Sequence, residues 1–302
     1  DRVHLTEYFT GKSAKDLTLC RSDFADAYGI DLRLSTKANA IDTLNKTVTT
    51  HHGDVIAYDK LVLATGSYAF IPPIPGNERE NCFVYRTIED LDAIRAASLN
   101  AKTGVVIGGG LLGLEAAKAL RDLNLETHVV EFAPRLMAVQ IDDLGGKVLR
   151  AKIENLGVKV HTQKATQCIE AGSNTTHVMK FGDGSELETD IVLFSAGIRP
   201  RDELARQSGL AIGERGGIVI NDYCQTSNTD IYAIGECALW QNKIYGLVAP
   251  GYDMARIAAK HVMDQSCNEF AGADMSTKLK LMGVDVASVG DAHAMTPNAL
   301  SY

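Results

Sequence analysis

Closely spaced cysteines are missing from this chain. Its six cysteines, at 20, 82, 168, 224, 237 and 267, are scattered over 302 residues, and no two make a C-x-x-C. That spacing argues against a dithiol relay, a zinc site or an iron–sulfur site. Scattered thiols fit a reducing cytoplasm, where each serves as a small core residue. Cys237 stands in a motif, Gly235-Glu236-Cys237-Ala238, so a direct role is its alternative. The eight histidines include no pair spaced on one helix face, so no metal or acid–base residue is assigned. Positive charge is in deficit, with a formal net charge of −8, and a nucleic-acid partner is not expected. No apolar run approaches the ~20 residues of a membrane span. The first residues, Asp1-Arg2-Val3-His4-Leu5, show neither an initiator methionine nor a targeting pattern. What remains is the composition of a globular, cytoplasmic protein of two domains.

The richest stretch runs from Val105-Val106-Ile107 through Gly108-Gly109-Gly110-Leu111-Leu112-Gly113 to Leu114-Glu115-Ala116-Ala117. An apolar strand enters a G-x-G-x-x-G turn, and a helical pattern leaves it. Gly108 serves the tight turn, Gly110 lets backbone approach a pyrophosphate, and Gly113 lets helix pack on strand. The phosphates would sit on free N–H groups at the helix N-terminus, those of Leu111 and Leu112 included. The next strand, Thr127-His128-Val129-Val130-Glu131, ends in an acid 23 residues after Gly108. A carboxylate there receives the adenosine ribose hydroxyls and repels a 2′-phosphate, so NADH is preferred over NADPH. Arg135 either offsets that repulsion or is a solvated loop arginine.

Part of the chain is repeated. Asp59-Lys60-Leu61-Val62-Leu63-Ala64-Thr65-Gly66 matches Asp190-Ile191-Val192-Leu193-Phe194-Ser195-Ala196-Gly197 at a constant offset of 131 residues. Each copy is an Asp, an apolar strand, a small residue and a closing glycine, which reads as a duplicated nucleotide-binding domain. The second copy has its glycine fingerprint 89 residues before Gly197; the same interval before Gly66 passes residue 1. The chain is therefore expected to be a fragment, lacking roughly 20–50 residues of its first domain.

Local patterns predict a helix over 13–29 with Ser13 as N-cap, and short strands over 30–63. Further helices are expected at Ile88–Ala97, at Ile141–Leu156 (ended by Gly157) and at Tyr252–Val262. Strands are expected at 158–160, in a meander over 165–195 around Gly182-Asp183-Gly184, and at 231–235.

These two repeats, the central glycine turn and the late strand Ile231-Tyr232-Ala233-Ile234-Gly235-Glu236 resemble the FAD/NAD(P) pyridine nucleotide oxidoreductases. The resemblance covers nearly the whole chain. It implies an α/β fold of two Rossmann-like dinucleotide-binding domains, the NAD domain inserted in the FAD domain. The FAD domain would take 1–98 and 222–275, the NAD domain 99–221, and 276–302 would open a C-terminal domain cut short. Narrower matches are Cys82 through Leu91, Glu131-Phe132-Ala133-Pro134, Gly235-Glu236-Cys237-Ala238, Gly246 through Tyr252 and Lys278 through Val286. They are similar to the family of large subunits of NAD(P)H-dependent assimilatory nitrite reductases. In that family NADH passes a hydride to FAD, and electrons continue through iron–sulfur centres to sirohaem, where nitrite becomes ammonia. Those centres lie in C-terminal domains, which together with a small subunit would be partners of this chain. A homo-oligomer is a further expectation.

The resemblance also distributes roles. Gly197 is placed where backbone approaches NAD, or is a structural turn glycine. Ala64, Thr65 and Gly66 lie against FAD, Gly235 gives backbone access, and Glu236 bonds the ribityl hydroxyls or pyrophosphate, or is a surface acid. Arg2 contacts flavin or its phosphates, and Pro250 and Gly251 begin a helix aimed at the flavin edge. With a phosphate loop missing, the FAD site is expected to be incomplete. Rubredoxin or ferredoxin reductases share the plan and are one alternative. A dinucleotide-binding redox module without turnover is another. The absent cysteine pair disfavours a disulfide reductase.

Overall fold

A computed structural model describes residues 2–281, 284–290 and 293. Contacts divide the chain into two compact units, one of residues 1–20, 69–197 and 276–302, the other of 21–68 and 198–275.

In the first unit five parallel strands are ordered Cys82–Val84, Ile191–Phe194, Thr103–Ile107, Glu126–Val130 and Lys159–His161. Helices Ile88–Ser98, Leu111–Asp122 and Asp143–Asn155 connect or flank them. The two-residue period of a strand sorts the sheet's side chains between two cores. Val106, Val129, Val160, Ile191 and Leu193 pack with helix residues such as Ile94, Leu114, Leu120, Leu149 and Ile153. Their neighbours Val105, Ile107, Val130, Val192 and Phe194 face the other way, onto Ile169, Met179 and Phe181. Those last residues belong to an antiparallel meander of Thr166–Ala171, His177–Phe181 and Glu186–Thr189. A sheet covered on both faces explains why its strands are continuously apolar.

Two of these helices carry caps written in their sequence. Thr87 and Asp90 form a reciprocal capping box at Ile88. Asp142 accepts from the Gly145 N–H at the next helix but one. Gly157, at φ +88°, follows that helix's end.

The second unit carries an antiparallel meander of Ala38–Asp42, Thr47–Thr50 and Val55–Ala57. Beside it are two parallel pairs, Leu61–Leu63 with Ile231–Ala233, and Ile218–Ile220 with Ala238–Trp240. The helix Val248–Val262 lays Met254 and Ala258 into this unit's core, with Leu63, Tyr232, Trp240 and Phe270.

Two expectations are corrected. The predicted helix over 13–29 is a turn near Ser13 and a four-residue helix, Phe24–Ala27. Ser13 and Asp16 do bond reciprocally, but Leu19, Phe24 and Tyr28 are exposed. Without an apolar face to bury, the costly first turn is not propagated. The helix expected from Tyr252 begins at Val248, so Pro250 sits inside its first turn, where its missing N–H costs nothing. The packing units are drawn by contacts and are not the expected FAD and NAD domains. The strand Cys82–Val84 hydrogen-bonds into the first unit's sheet, and Ala205, Leu210, Ile218 and Ile220 pack into the second unit's core. Thr277–Leu281 pairs antiparallel with Val284–Ser288, while 282, 283, 291, 292 and 294–302 lie outside the described residues.

The repeated aspartate has a clear function in the second copy. One Asp190 oxygen accepts from the Lys102 and Thr103 N–H groups and the Thr103 hydroxyl, and the other from the Thr176 N–H. Burial alone would raise this carboxyl, but the N–H donors outweigh it and hold it below the usual range. Asp190→Ala is expected to destabilise by about 2–4 kcal/mol at pH 7 in urea unfolding, because it strands several donors. A depressed folded-state value means this stability is present above the unfolded value. It is lost as pH falls through the folded one, so the difference between wild type and variant should shrink in acid.

Candidate nucleotide-binding sites

In the first unit the glycine turn is built as its sequence requires. Gly108 has φ +118°, and a Cβ there would lie 2.3 Å from the Ser195 carbonyl oxygen. A Cβ on Gly113 would lie 1.9 Å from the Gly108 carbonyl oxygen, which only glycine permits. Gly110 is the helix N-cap, with extended backbone at φ −80°, and its Cβ direction meets nothing within 4 Å. The space over Gly110 is open, and the first-turn N–H groups beyond it lack intrahelical acceptors. Leu111 packs on the core while Leu112 is 45% exposed, so what the pair can offer a ligand is backbone. This arrangement fits a pyrophosphate.

Glu131 closes the turn from the side. Its Oε2 accepts from the Gly109 N–H at 2.6 Å and its Oε1 from the Ala133 N–H at 2.6 Å. Both carboxyl oxygens therefore accept N–H bonds over the turn, with lone pairs left for ribose hydroxyls. Arg135 is turned into its own loop and the next helix rather than out into solvent. Its Nε donates to the Ile141 carbonyl at 3.0 Å and its Nη1 to Asp143 at 2.6 Å, and its side chain is only 20% exposed. Gly197, at φ +108°, has an open Cβ direction, and its carbonyl accepts from the Phe70 N–H.

Two features escaped the sequence reading. Glu115 lies partly buried on the helix after the glycine turn; burial pushes its carboxyl up to about 6, with His4 opposing. Its signal was an acid framed by Leu114, Ala116 and Ala117. His128 and His161 form a pair across adjacent strands, Nδ1 to Nε2 at 3.0 Å, which no helix-face spacing could reveal. Burial holds both below the usual histidine range.

In the second unit the expected residues gather at one end of the parallel pair Leu61–Leu63 and Ile231–Ala233. Thr65 Oγ1 donates to the Arg201 carbonyl at 2.6 Å, and the Arg201 N–H to the Gly66 carbonyl. Gly66 has φ +66° and Gly235 φ +73°. The Ser67 hydroxyl donates to Glu236 at 2.7 Å, so this acid is a partner within the turn as well as a ligand candidate. Gly235 N–H meets the Met254 sulfur at 3.3 Å, and a Cβ on Gly251 would lie 3.4 Å from Gly235 Cα. Ala64, Thr65, Gly66, Gly235, Glu236 and the helix start around buried Pro250 thus share the carboxyl edge of two strands, where open α/β sheets take ligands. Cys237 is buried, its thiol set against the Leu63 and Ile234 carbonyls, which is a core tie. Arg2 opens a 3-10 segment, Arg2–Thr10, and its side chain lies outside the described ones. Among the described residues of this unit no glycine-rich turn leads into a helix beside the pair. The residues present fit one end of a dinucleotide rather than its pyrophosphate.

A glycine turn, a carboxylate at the end of the second strand, and a second parallel pair with two left-handed glycine turns define a dinucleotide-binding α/β protein. The chain belongs to the pyridine nucleotide-disulphide oxidoreductase family, whose model matches residues 8–264. It is 55% identical, over its full length, to the nitrite reductase (NADH) large subunit of Escherichia coli strain K12, of which it covers 36%. It is 59% identical to the nitrite reductase [NAD(P)H] large subunit of Klebsiella oxytoca, covering all of this chain and 31% of that one. The chain thus spans about a third of the length of these relatives. A solved NAD-dependent persulfide reductase from A. fulgidus superposes with a TM-score of 0.87 at 28% identity, over 96% of this chain and 57% of that one. No helix among the described residues is long and apolar enough to cross a membrane.

The glycines can be separated experimentally. Gly110→Ala should fold within about 1 kcal/mol of wild type, since its Cβ enters open space, yet lose NADH binding in a fluorescence titration. Gly113→Ala should lose several kcal/mol, because backbone must move. Equal stability losses in the two variants would contradict this assignment.

Glu115 supplies a pH test. A raised folded value means the ionised carboxyl costs stability above about pH 6 and costs nothing below its unfolded value. Glu115→Gln should therefore raise Tm at pH 8, and the gain should vanish near pH 4.

Proposed function

We propose that this chain is the NADH-oxidising, electron-entry portion of an NAD(P)H-dependent nitrite reductase. The observation that carries the nucleotide half of this reading is the open, glycine-lined helix N-terminus with Glu131 hydrogen-bonded across it. Gly108, Gly110, Leu111, Leu112 and Gly113 would hold the pyrophosphate by backbone, and Glu131 the adenosine ribose. Gly197 would line the same edge of the sheet. A 2′-phosphate would meet the Glu131 charge, so NADH is the preferred donor.

The second unit would hold FAD through Ala64, Thr65, Gly66, Gly235, Glu236 and the helix N-terminus at Pro250. FAD, when bound, accepts a hydride and releases electrons singly, which is the chemistry a nicotinamide donor needs to feed one-electron centres. The chain's own part is orientation. Ser67 fixes Glu236, Met254 and Gly251 bring the helix start to Gly235, and the partial positive charge of that N-terminus favours anionic groups set against it. Electrons would then pass to iron–sulfur and sirohaem domains of the parent polypeptide, with nitrite as final acceptor. A small subunit and a homo-oligomer would complete the assembly, in the cytoplasm.

The test is an absorbance spectrum of the purified chain, before and after adding FAD and then NADH. With its FAD site incomplete, the chain is expected to bind NADH while retaining FAD weakly; a band near ~450 nm that survives removal of unbound FAD and bleaches with NADH, with turnover of an artificial electron acceptor, would show the whole electron-entry portion at work. NADH binding without a flavin band would leave a nucleotide-binding module, and no binding of either would sink the proposal.

A further inference from the structure

We propose that Arg135 is a positioning residue that sets the affinity for NADH and NADPH alike, leaving discrimination between them to Glu131. The proposal rests on the nucleotide reading above. It starts from the loop that follows the strand Glu126–Val130, which touches the glycine turn at three points. Glu131 bridges the Gly109 and Ala133 N–H groups. The Met137 N–H donates to the Gly109 carbonyl at 2.8 Å. Leu136 is fully buried against Gly109, where a Cβ would lie 2.6 Å from its Cδ2. Both backbone polar groups of Gly109 are thus held by this loop, and Gly109 sits between the turn glycine Gly108 and Gly110, which opens toward the pyrophosphate.

The loop in turn is held by Arg135. Its guanidinium donates to the Ile141 carbonyl, to Asp143 and, at 3.5 Å, to the Ala138 carbonyl. Those acceptors span the far end of the loop and the start of the helix Asp143–Asn155. Its aliphatic stem lies on Gly146, where a Cβ would come within 2.8 Å of the Arg135 Cβ and Cδ. A glycine about one turn past the N-cap, inside a helix, costs stability that this contact explains. Every recorded bond of Arg135 points toward loop and helix, so its planar fork is committed to carbonyls and one carboxylate. The chain of contacts runs from helix to Arg135, to the 133–141 loop, to the Gly109 peptide. Loosening any link should blur the phosphate cradle that both coenzymes share.

The experiment measures NADH and NADPH binding to the purified chain by fluorescence titration, with Tm recorded alongside. The variants are Arg135→Ala, Arg135→Lys, Asp143→Asn, Gly146→Ala and Glu131→Gln. Arg135→Ala is expected to weaken both coenzymes by the same factor, roughly fivefold to tenfold. Gly146→Ala, which displaces the stem without removing charge, should move both in the same direction, as should the milder Asp143→Asn. Arg135→Lys should recover part of the loss, and Glu131→Gln should change the NADH to NADPH ratio. A loss confined to NADPH in Arg135→Ala would make this residue a 2′-phosphate reader and overturn the proposal. A fall in Tm with both affinities unchanged would overturn it too, leaving only a structural brace. If the unaltered chain binds neither coenzyme, the nucleotide reading itself fails, a result distinct from either of those.

Discussion

The close approach of one helix to the end of one strand governs the first unit. Where the chain turns from Ile107 into the helix at Leu111, the Gly113 Cα faces the Gly108 carbonyl so closely that a single methyl group would overlap it. Because the helix can come this near, its first N–H groups reach the strand's end, and the space over Gly110 stays open. The same approach presses Gly108 against the Ser195 carbonyl, which ties the turn to the neighbouring strand. An anion-binding site made of backbone is stiff because the chain around it is crowded, while the surface it presents is bare.

The sheet supports this turn by simple alternation. Adjacent residues of each strand enter different cores, one roofed by helices and one by the meander. The charged groups that matter lie at strand ends, where Asp190 ties one strand to its neighbour's entry and Glu131 closes the other end. In the second unit the same plan is carried by two short strands, and more of the order comes from side chains meeting backbone at Thr65, Ser67 and Glu236.

Much of this was legible in the residues. The glycine fingerprint, the acid after the second strand and the repeated Asp-strand-Gly segment each depend on local geometry, so spacing alone exposes them. The helix capped at Thr87 and the meander turning at Gly184 are local in the same way. What the sequence hid is what depends on contacts at long separation. The stretch 13–29 carries a good cap and still fails as a helix, because only Leu17 is buried while Leu19, Phe24 and Tyr28 stay exposed. The His128–His161 pair joins residues 33 positions apart on different strands. Arg135 looked like a surface residue, and its bonds to Ile141 and Asp143 follow from where the next helix starts. The division into packing units was likewise invisible, since Cys82–Val84 joins a sheet most of whose strands come later.

The strand Ile191–Phe194 has one more consequence. All four of its residues are apolar and buried, so a slip by one position would exchange its two faces without exposing a polar group. Hydrophobicity therefore says little about where this strand should stop against its neighbours. The stop is supplied by its flanks, by Asp190 gripping the Lys102 and Thr103 N–H groups before it and by the Ser195 N–H bonding the Ile107 carbonyl after it. Since Ser195 in turn bears on Gly108, a misregistered strand would misplace the phosphate turn. Fidelity of assembly at the nucleotide end thus rests on a carboxylate at the opposite end of the strand, five positions before Ser195.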